Sequence, residues 1–484
     1  MLFNSIEFAL FFPIVTLLYF LTPHAWRWLV LLIASCIFYM VLIPIYILVL
    51  FALIAVDYYS GIFIDRSEGK KRKTILLFSL AANLGILFFF KYFNFFNANF
   101  ATLANFIHWN YPIQSLAIIL PVGLSFHTFQ SMAYTIEVYR RRYPAEKHLG
   151  IYALYVLFYP QLVAGPIERP QHLLPQFHRE HPFDWERIKH GLAVMLGGLF
   201  KKMVIADQLA VLVNQVYGHP TEYTGIQLVI ATYFFAFQIF CDFSGYTDIA
   251  RGAAEVMGYK LMINFNRPYF ASSVSDFWHK WHISLSTWFR DYLYIPLGGN
   301  RVSTSRQYAN LMLVFVVSGL WHGASWNFAF WGFLHGSFLI LSLALVPWKS
   351  QATILFGLDK KPKISRVLSI LLVFHLVCFA WIFFRANSLQ DAFYIVNHLF
   401  NNPNGIHFGA LFPTYSNREL WVSAVLIAAL IVSQMMERKQ SLYVFLQHRP
   451  TWLRIVLYGI FLLCLVIFVL TSDLGSQQFI YFQF

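Results

Sequence analysis

The sequence predicts an all-α protein that crosses a membrane many times, and three observations indicate this class. Hydrophobic residues make up 58% of the 484 residues and charged residues only 12%, whereas soluble domains carry about 25% charged residues. The mean hydropathy is +0.58. Apolar runs that reach, with their flanks, the roughly 20 residues needed to cross a bilayer recur at 75–90, 227–240, 328–346, 367–384, 422–432 and 455–470. We therefore predict a single polytopic membrane unit over 1–484, without a long polar linker or soluble appendage.

The N-terminal part, 1–149, is predicted to consist of membrane helices whose orientation follows from the basic loops. Segment 6–21 lacks a preceding Lys or Arg and a cleavage site, so it is expected to be a retained helix rather than a signal peptide. Basic residues cluster at 70–73 and 140–147, while 94–114 contains no Lys or Arg. Because basic loops stay in the cytoplasm, the N-terminus is predicted to be extracytoplasmic. The net charge of +13 is explained by such loops, so no nucleic-acid partner is expected.

Residues 150–346 are predicted to form the core of the protein. Segment 150–169 carries Pro and Gly within YPQLVAGPIER, so it is expected to enter the membrane and return. A crossing at 192–216 contains Lys201 and Lys202, which must reach the interface or face a cavity. Segment 250–307 is basic and lacks a clear span, so we predict a helical layer at the cytoplasmic surface. The further spans, including those of the C-terminal part 347–484, bring the total to about 11 or 12; they lie at 227–245, 308–320, 328–346, 367–384, 420–436 and 452–470.

The stretch SGLWHGASWNF, residues 318–328, places His322 inside an apolar run. One interpretation is a core histidine whose hydrogen bonds are satisfied. The other is a catalytic base, because ionisable groups at membrane depth are costly and a neutral imidazole can accept a proton from a hydroxyl. Trp321 and Trp326 would supply bulky walls, and Gly319 and Gly323 would allow a ligand or a backbone to approach closely.

A second motif, DFWHKWHISLSTWFRDYLYIPLGGNR, spans 276–301 and contains His279 and His282. On one helix, two histidines three residues apart could bind a metal, but no third ligand is identified and the four cysteines show no CxxC spacing. No metal is therefore predicted. The mixture of aromatic and basic residues is also typical of an interfacial helix. The final turn, PLGGNR, is able to cradle a phosphate.

A third motif, YFFAFQIFCDFSGYTDIARG at 233–252, carries polar residues within or just after an apolar span. Gln238 and Asp242 lie one turn apart on the same helical face, and Asp248 follows beyond them. We favour a buried polar clamp between helices over a catalytic role. Glu168 and Arg169, after the AGP turn, leave the same two alternatives open.

Taken together, the second motif and SGLWHGASWNFAFWGFLHG resemble the membrane-bound O-acyltransferase family, most closely its bacterial branch of alginate O-acetylases and polysaccharide O-acetyltransferases. LFYPQLVAGPIERP, CDFSGYTDIARG and the closing QFIYFQF match as well, so the resemblance covers essentially the whole chain. It implies a helical fold with a cytoplasmic funnel and a buried tunnel. The essential histidine of the family falls on His322 and its second motif residue on His282.

The resemblance implies an O-acetyltransferase of the bacterial cytoplasmic (inner) membrane that takes acetyl from cytosolic acetyl-CoA and uses no tightly bound cofactor. The expected acceptor is an extracytoplasmic polysaccharide, alginate-like by preference, reached directly or through a separate esterase-like partner of the SGNH type. Alternatives are peptidoglycan O-acetylation, D-alanyl transfer to teichoic acid and, in other classes, a glycan or lipid transporter or flippase, or a family member that has lost activity and only scaffolds a complex. The residues expected to bind the donor are Trp281, Trp288, Arg290, Gly298, Gly299, Arg301, Trp321 and Trp326.

Overall fold

A computed structural model describes residues 1–41, 43–163, 165–401, 411–412, 415–437, 447–471 and 479–480. Throughout these ranges the regular structure is helical and no strand occurs, which confirms the all-α prediction. The chain divides into two compact units. The first comprises Met1–Met195 and Tyr246–Met262, and the second comprises Leu196–Gly245 and Ile263–Phe484.

The first unit contains the N-terminal helices and the short helices that follow them. In chain order these are α1 (Ile6–Leu21), α2 (His24–Met40), α3 (Ile47–Arg66), α4 (Gly69–Leu87), α5 (Phe93–Phe106), α6 (Leu124–Tyr139), α7 (Leu149–Leu157), α8 (Pro170–Phe177) and α9 (Trp185–Leu199), which ends just inside the second unit. Helices α3, α4 and α6 pack against one another. Between them the buried carboxylate of Asp57 accepts hydrogen bonds from Ser79 Oγ at 2.7 Å and Asn83 Nδ2 at 2.9 Å.

The segment that follows α7 is irregular and buried, as the Pro and Gly residues of YPQLVAGPIER predict. Its backbone is held by side chains, because a buried polar group must find a partner. The amides of Gln130 and Gln161 donate to the backbone oxygen of Tyr155 at 2.6 and 2.7 Å. Tyr155 Oη donates to the backbone oxygen of Glu168 at 2.9 Å. The fully buried Glu168 carboxylate also accepts from Met262 N and contacts His172 Nδ1 at 2.6 Å, so it joins three segments of this unit.

The second unit contains the longest helices. They are α10 (Asp207–Gly218), α11 (Ile226–Val256), α12 (Val274–Trp278), α13 (Ile283–Phe289), α14 (Thr304–His322), α15 (Trp326–Ala344), α16 (Val346–Leu355), α17 (Pro362–Arg385), α18 (Leu389–His398), α19 (Asn417–Met436) and α20 (Thr451–Thr471). The last residues of α11 belong to the first unit. A π-helical turn at Phe200–Ala206 continues α9 into α10.

Six helical segments within the described ranges are long and apolar enough to cross a membrane, and three shorter apolar helices accompany them. The six are Pro44–Arg66, Gly69–Phe106, Ile226–Val256, Trp326–Ala344, Pro362–Arg385 and Asn417–Met436. The protein is therefore a multi-pass membrane protein, while the total of 11 or 12 crossings stays a prediction. Helix α11 continues beyond the predicted end at 245 and ends at Val256, within the region expected as a surface layer.

Residues 276–301 do not form one continuous helix. Helix α12 ends at Trp278 and α13 begins at Ile283, so His279 and His282 do not share a helix. A π-helical turn at Arg290–Tyr294 follows α13. The break lies at His282, whose backbone is left-handed with φ 43° and ψ 55°, a conformation that no helix interior allows.

Candidate active site

A tight helical hairpin positions His322. It is the last residue of α14, and only 323–325 separate it from α15. The two helices approach so closely that a Cβ atom on Gly319 would collide with the backbone oxygen of Phe328, and one on Gly332 would collide with that of Phe315. Because glycine alone permits this approach, the sequence fixes His322 at the apex of the hairpin, where it is 5% exposed.

Aromatic rings enclose the His322 imidazole on several sides. The ring centroids of Trp321, Trp331 and Phe384 lie 5.0, 5.1 and 5.3 Å from its own, and all three rings stand nearly perpendicular to it. A Cβ on Gly323 would meet the Phe328 ring, so this glycine is also required by close packing. The surroundings of His322 are therefore rigid and apolar, which excludes bulk water from the imidazole.

The two residues that follow His282 are held in place by the backbone and side chain of Asn264. Ile283 N donates to Asn264 O at 3.0 Å, and both Ser284 N and Ser284 Oγ donate to Asn264 Oδ1 at 3.1 and 2.7 Å. These bonds impose the left-handed backbone of His282, a conformation that non-glycine residues adopt when their surroundings over-determine it. Such strain is typical of functional positions.

The imidazole of His282 is fully buried and neutral. Its centroid lies 4.7 Å from the Phe243 ring and 6.3 Å from the Trp321 ring. Burial lowers the pKa of His282 to about 3, so the ring carries no charge near neutral pH. Trp321 therefore contacts both histidines, and the structure brings together two residues that lie far apart in the sequence. A neutral histidine can donate one hydrogen bond and accept another, which suits it to orient a substrate or to stabilise negative charge.

The residues predicted to bind the donor fall into three different environments. Trp281 and Trp288 are buried; the Trp281 ring stacks on Phe277 at 5.6 Å and lies 5.0 Å from the Trp381 ring. Trp326 begins α15 and is exposed. Arg290 and Arg301 are also exposed, and Arg290 pairs with Asp291 at 2.8 Å. Arg301 follows the turn glycines Gly298 and Gly299, which have φ of 104° and 57°. Trp321, the eighth, is buried beside His282 and His322. Donor binding by these eight residues stays a prediction.

An ion cluster that the sequence did not reveal lies beside His282. Lys202 Nζ contacts Asp242 Oδ1 at 2.6 Å and Asp207 Oδ1 at 2.7 Å, and all three side chains are largely buried. The expectation that Lys202 reaches the interface or a cavity is wrong, because two carboxylates neutralise it inside the protein. Asp242 directly precedes Phe243, whose ring packs on His282. Its Oδ2 accepts from Ile480 N at 2.7 Å.

Two further polar residues of the third motif are Gln238 and Asp248. Gln238 is buried one turn before Asp242 on α11. Asp248 pairs with Arg251 at 3.1 Å in the part of α11 that belongs to the first unit. Of the closing QFIYFQF, only Phe479 and Ile480 lie within the described residues; the Phe479 ring is 6.1 Å from Phe243.

Comparison with known proteins shows the family of the chain. Residues 147–385, which contain both histidines, match the membrane-bound O-acyltransferase family. The chain is 35% identical to the probable alginate O-acetylase of Pseudomonas putida, with 100% of both chains covered. The chain belongs to the membrane-bound O-acyltransferase family. It is also 39% identical over 412 residues to the probable alginate O-acetylase of Azotobacter vinelandii, covering 83% of this chain and 78% of that protein.

A further relative is the peptidoglycan O-acetyltransferase of Helicobacter pylori. The chain is 35% identical to it over 429 residues, which cover 81% of this chain and 78% of the relative. Membership in the membrane-bound O-acyltransferase family makes this chain an enzyme that transfers an acyl group to a hydroxyl. Such enzymes use an acyl donor as a substrate, and the buried pair His282 and His322 lies within the region that defines the family.

Proposed function

We propose that this enzyme transfers acetyl groups from acetyl-CoA to hydroxyls of an extracytoplasmic polysaccharide, with an alginate-like polymer favoured. The observation that carries the proposal is the pair of buried histidines, His282 and His322, whose rings both lie against Trp321. The names of the relatives support the acceptor class, since those of Pseudomonas putida and Azotobacter vinelandii are probable alginate O-acetylases. Peptidoglycan acetylation is the second candidate, favoured by the relative from Helicobacter pylori.

In the proposed mechanism His322 acts as the general base. It accepts the proton of the attacking hydroxyl while the hydroxyl oxygen forms a bond to the thioester carbonyl carbon. The carbon–sulfur bond then breaks, and the proton held on His322 passes to the departing thiolate, so the imidazole returns to its neutral form. His282 donates a hydrogen bond to the carbonyl oxygen as negative charge develops there, which suits its uncharged ring. The surrounding Trp321, Trp331 and Phe384 keep water away from the thioester.

The donor is proposed to enter from the cytoplasm. The guanidinium groups of the exposed Arg290 and Arg301 would contact its phosphates. The N–H groups of Gly298 and Gly299 donate to Ile295 O at 3.0 Å and Tyr294 O at 2.9 Å, so this turn does not offer them to a phosphate. In this arrangement the enzyme lies in the bacterial cytoplasmic (inner) membrane with its N-terminus outside. A separate esterase-like partner of the SGNH type would complete the transfer to the polysaccharide.

Acetyl transfer by purified protein in lipid nanodiscs tests the proposal. Labelled acetyl-CoA is supplied with alginate, peptidoglycan or teichoic acid fragments as acceptors, with and without the partner. His322→Ala should lower the rate by about 10²–10⁴-fold, the usual contribution of a general base. His279→Ala is the control, because this exposed histidine belongs to the second motif and its Nδ1 contacts the nearby Ser275 O at 2.7 Å.

The alternatives give different results in the same assay. Equal rates for His322→Ala and the unaltered enzyme would refute His322 as the base. Movement of a labelled glycan across the bilayer without acetyl transfer would favour a transporter or flippase. Transfer to teichoic acid with a D-alanyl donor, but not with acetyl-CoA, would replace the proposed substrate pair.

A further inference from the structure

His335 lies in the interior of α15 and is fully buried. Neither of its ring nitrogens has a hydrogen-bond partner anywhere in the described part of the chain. Buried polar side chains in proteins almost always have such a partner, supplied by protein or by a bound molecule. A phenylalanine would fill the same space without this cost, so the histidine calls for an explanation.

Two tryptophans complete a compact polar group around His335. The ring centroids of Trp278 and Trp331 lie 4.9 and 4.8 Å from that of His335, and 5.8 Å from each other. The indole Nε1 atoms of both tryptophans are likewise buried and have no partner among the described residues. We call these three residues the His335 triad. Each residue of the triad therefore has at least one buried polar atom that lacks a hydrogen-bond partner among the described residues.

Contacts between an N–H group and an aromatic face do not account for the triad. Both indole rings stand steeply to the imidazole, at 80° and 68°, so the single N–H of a neutral imidazole can point at one of them. The other ring nitrogen carries a lone pair and needs a donor. Each indole N–H needs an acceptor. A hydroxyl group meets both requirements, because it donates one hydrogen bond and accepts two.

The triad lies directly beside the candidate base. The centroid of the Trp331 ring is 4.8 Å from that of His335 and 5.1 Å from that of His322. We propose that the His335 triad is a binding subsite for a hydroxyl group next to His322, occupied by the acceptor hydroxyl or by a bound water. This inference rests on the proposed function, since it assigns the subsite to the same reaction.

His335→Phe separates a binding role from a packing role. The substitution keeps an aromatic ring of similar size and removes the two ring nitrogens of His335 that have no partner within the ranges that the structure describes. The protein should therefore unfold at a higher temperature. A binding role predicts that acetyl transfer slows at least tenfold at the same time. His127→Phe is the control, since it makes the same change at a buried histidine of the first unit and should leave the rate unchanged.

The source of the hydroxyl is distinguished by steady-state kinetics. If the acceptor occupies the subsite, His335→Phe raises the KM for the acceptor; if water occupies it, kcat falls while that KM stays constant. His335→Gln keeps a donor and an acceptor and should therefore retain more activity than His335→Phe. A His335→Phe enzyme as fast as the unaltered one, or faster than His335→Gln, overturns the inference.

Two further comparisons make every outcome decisive. Should His335→Phe fail to accumulate in the membrane, His335→Gln is compared with His335→Leu, and equal rates for these two overturn the subsite. His322→Ala is measured in parallel. If the unaltered enzyme transfers no acetyl, the proposed function fails; if His322→Ala transfers acetyl normally, only the role of His322 as the base fails. If His322→Ala is inactive while the His335 variants are unaffected, only the subsite fails.

Discussion

Replacing Lys202 with Met should strongly destabilise the second unit. Lys202 Nζ lies 2.6 Å from Asp242 Oδ1 and 2.7 Å from Asp207 Oδ1, and the side chains of Lys202, Asp242 and Asp207 are 5%, 3% and 12% exposed. Removing one member of a buried ion pair costs about 3–5 kcal/mol, since the remaining charge is left without compensation. Lys202→Met leaves two carboxylates behind, so we expect a loss near 5 kcal/mol at neutral pH.

Asp207→Asn should cost less, because Lys202 keeps its contact with Asp242. The loss is one hydrogen bond between charged groups, about 1.5–3 kcal/mol. Unfolding free energies are measured by circular dichroism during denaturant titration in mixed micelles. Lys189→Met is the control: Lys189 pairs with Glu186 at an exposed position, where an ion pair contributes about 0–1 kcal/mol.

A neutralised variant tests the reason given for the loss. In Lys202→Met combined with Asp207→Asn and Asp242→Asn, no carboxylate remains unpaired, so more than half of the lost stability should return. A Lys202→Met protein no less stable than Lys189→Met would refute the reasoning. A triple variant as unstable as Lys202→Met would assign the loss to packing rather than to charge.

Two further predictions concern the histidine site. Burial lowers the pKa of His282 to about 3 from an ordinary value near 6.5, so between these values only the unfolded state binds the proton and each unit fall in pH removes about 1.4 kcal/mol of stability. The unfolding free energy of His282→Asn, measured at pH 7.5, 6 and 5, should therefore fall less on acidification than that of the unaltered protein. Equal dependence of the unfolding free energy on pH in the two proteins would contradict this. Gly319→Ala should cost about 1–3 kcal/mol, because its Cβ meets the backbone oxygen of Phe328. Gly197→Ala, with open space around the added carbon, should be neutral or stabilising by up to about 1 kcal/mol; equal melting temperatures for the two variants would rule out the steric explanation.

The long apolar helices were predictable because their signal is local. The run at 328–346 predicted a helix that the structure places at Trp326–Ala344, and the run at 367–384 predicted one at Pro362–Arg385. The helical path within 276–301 was not predictable, for the opposite reason. Its break at His282 is imposed by Asn264, which bonds Ser284 from a different segment, and the pattern of apolar residues within 276–301 contains no trace of that contact.

By itself, the sequence determined that the chain is an all-helical membrane protein, because burial in lipid demands long apolar runs and these are visible residue by residue. It also singled out His322 as an ionisable group within an aromatic motif, and the family resemblance added His282. Only the tertiary structure decided that both rings contact Trp321, that Lys202 is neutralised by Asp207 and Asp242, and that the nitrogens of His335 are buried beside two indoles. Contacts of this kind join residues far apart along the chain, and they depend on how helices pack rather than on which residues each helix contains.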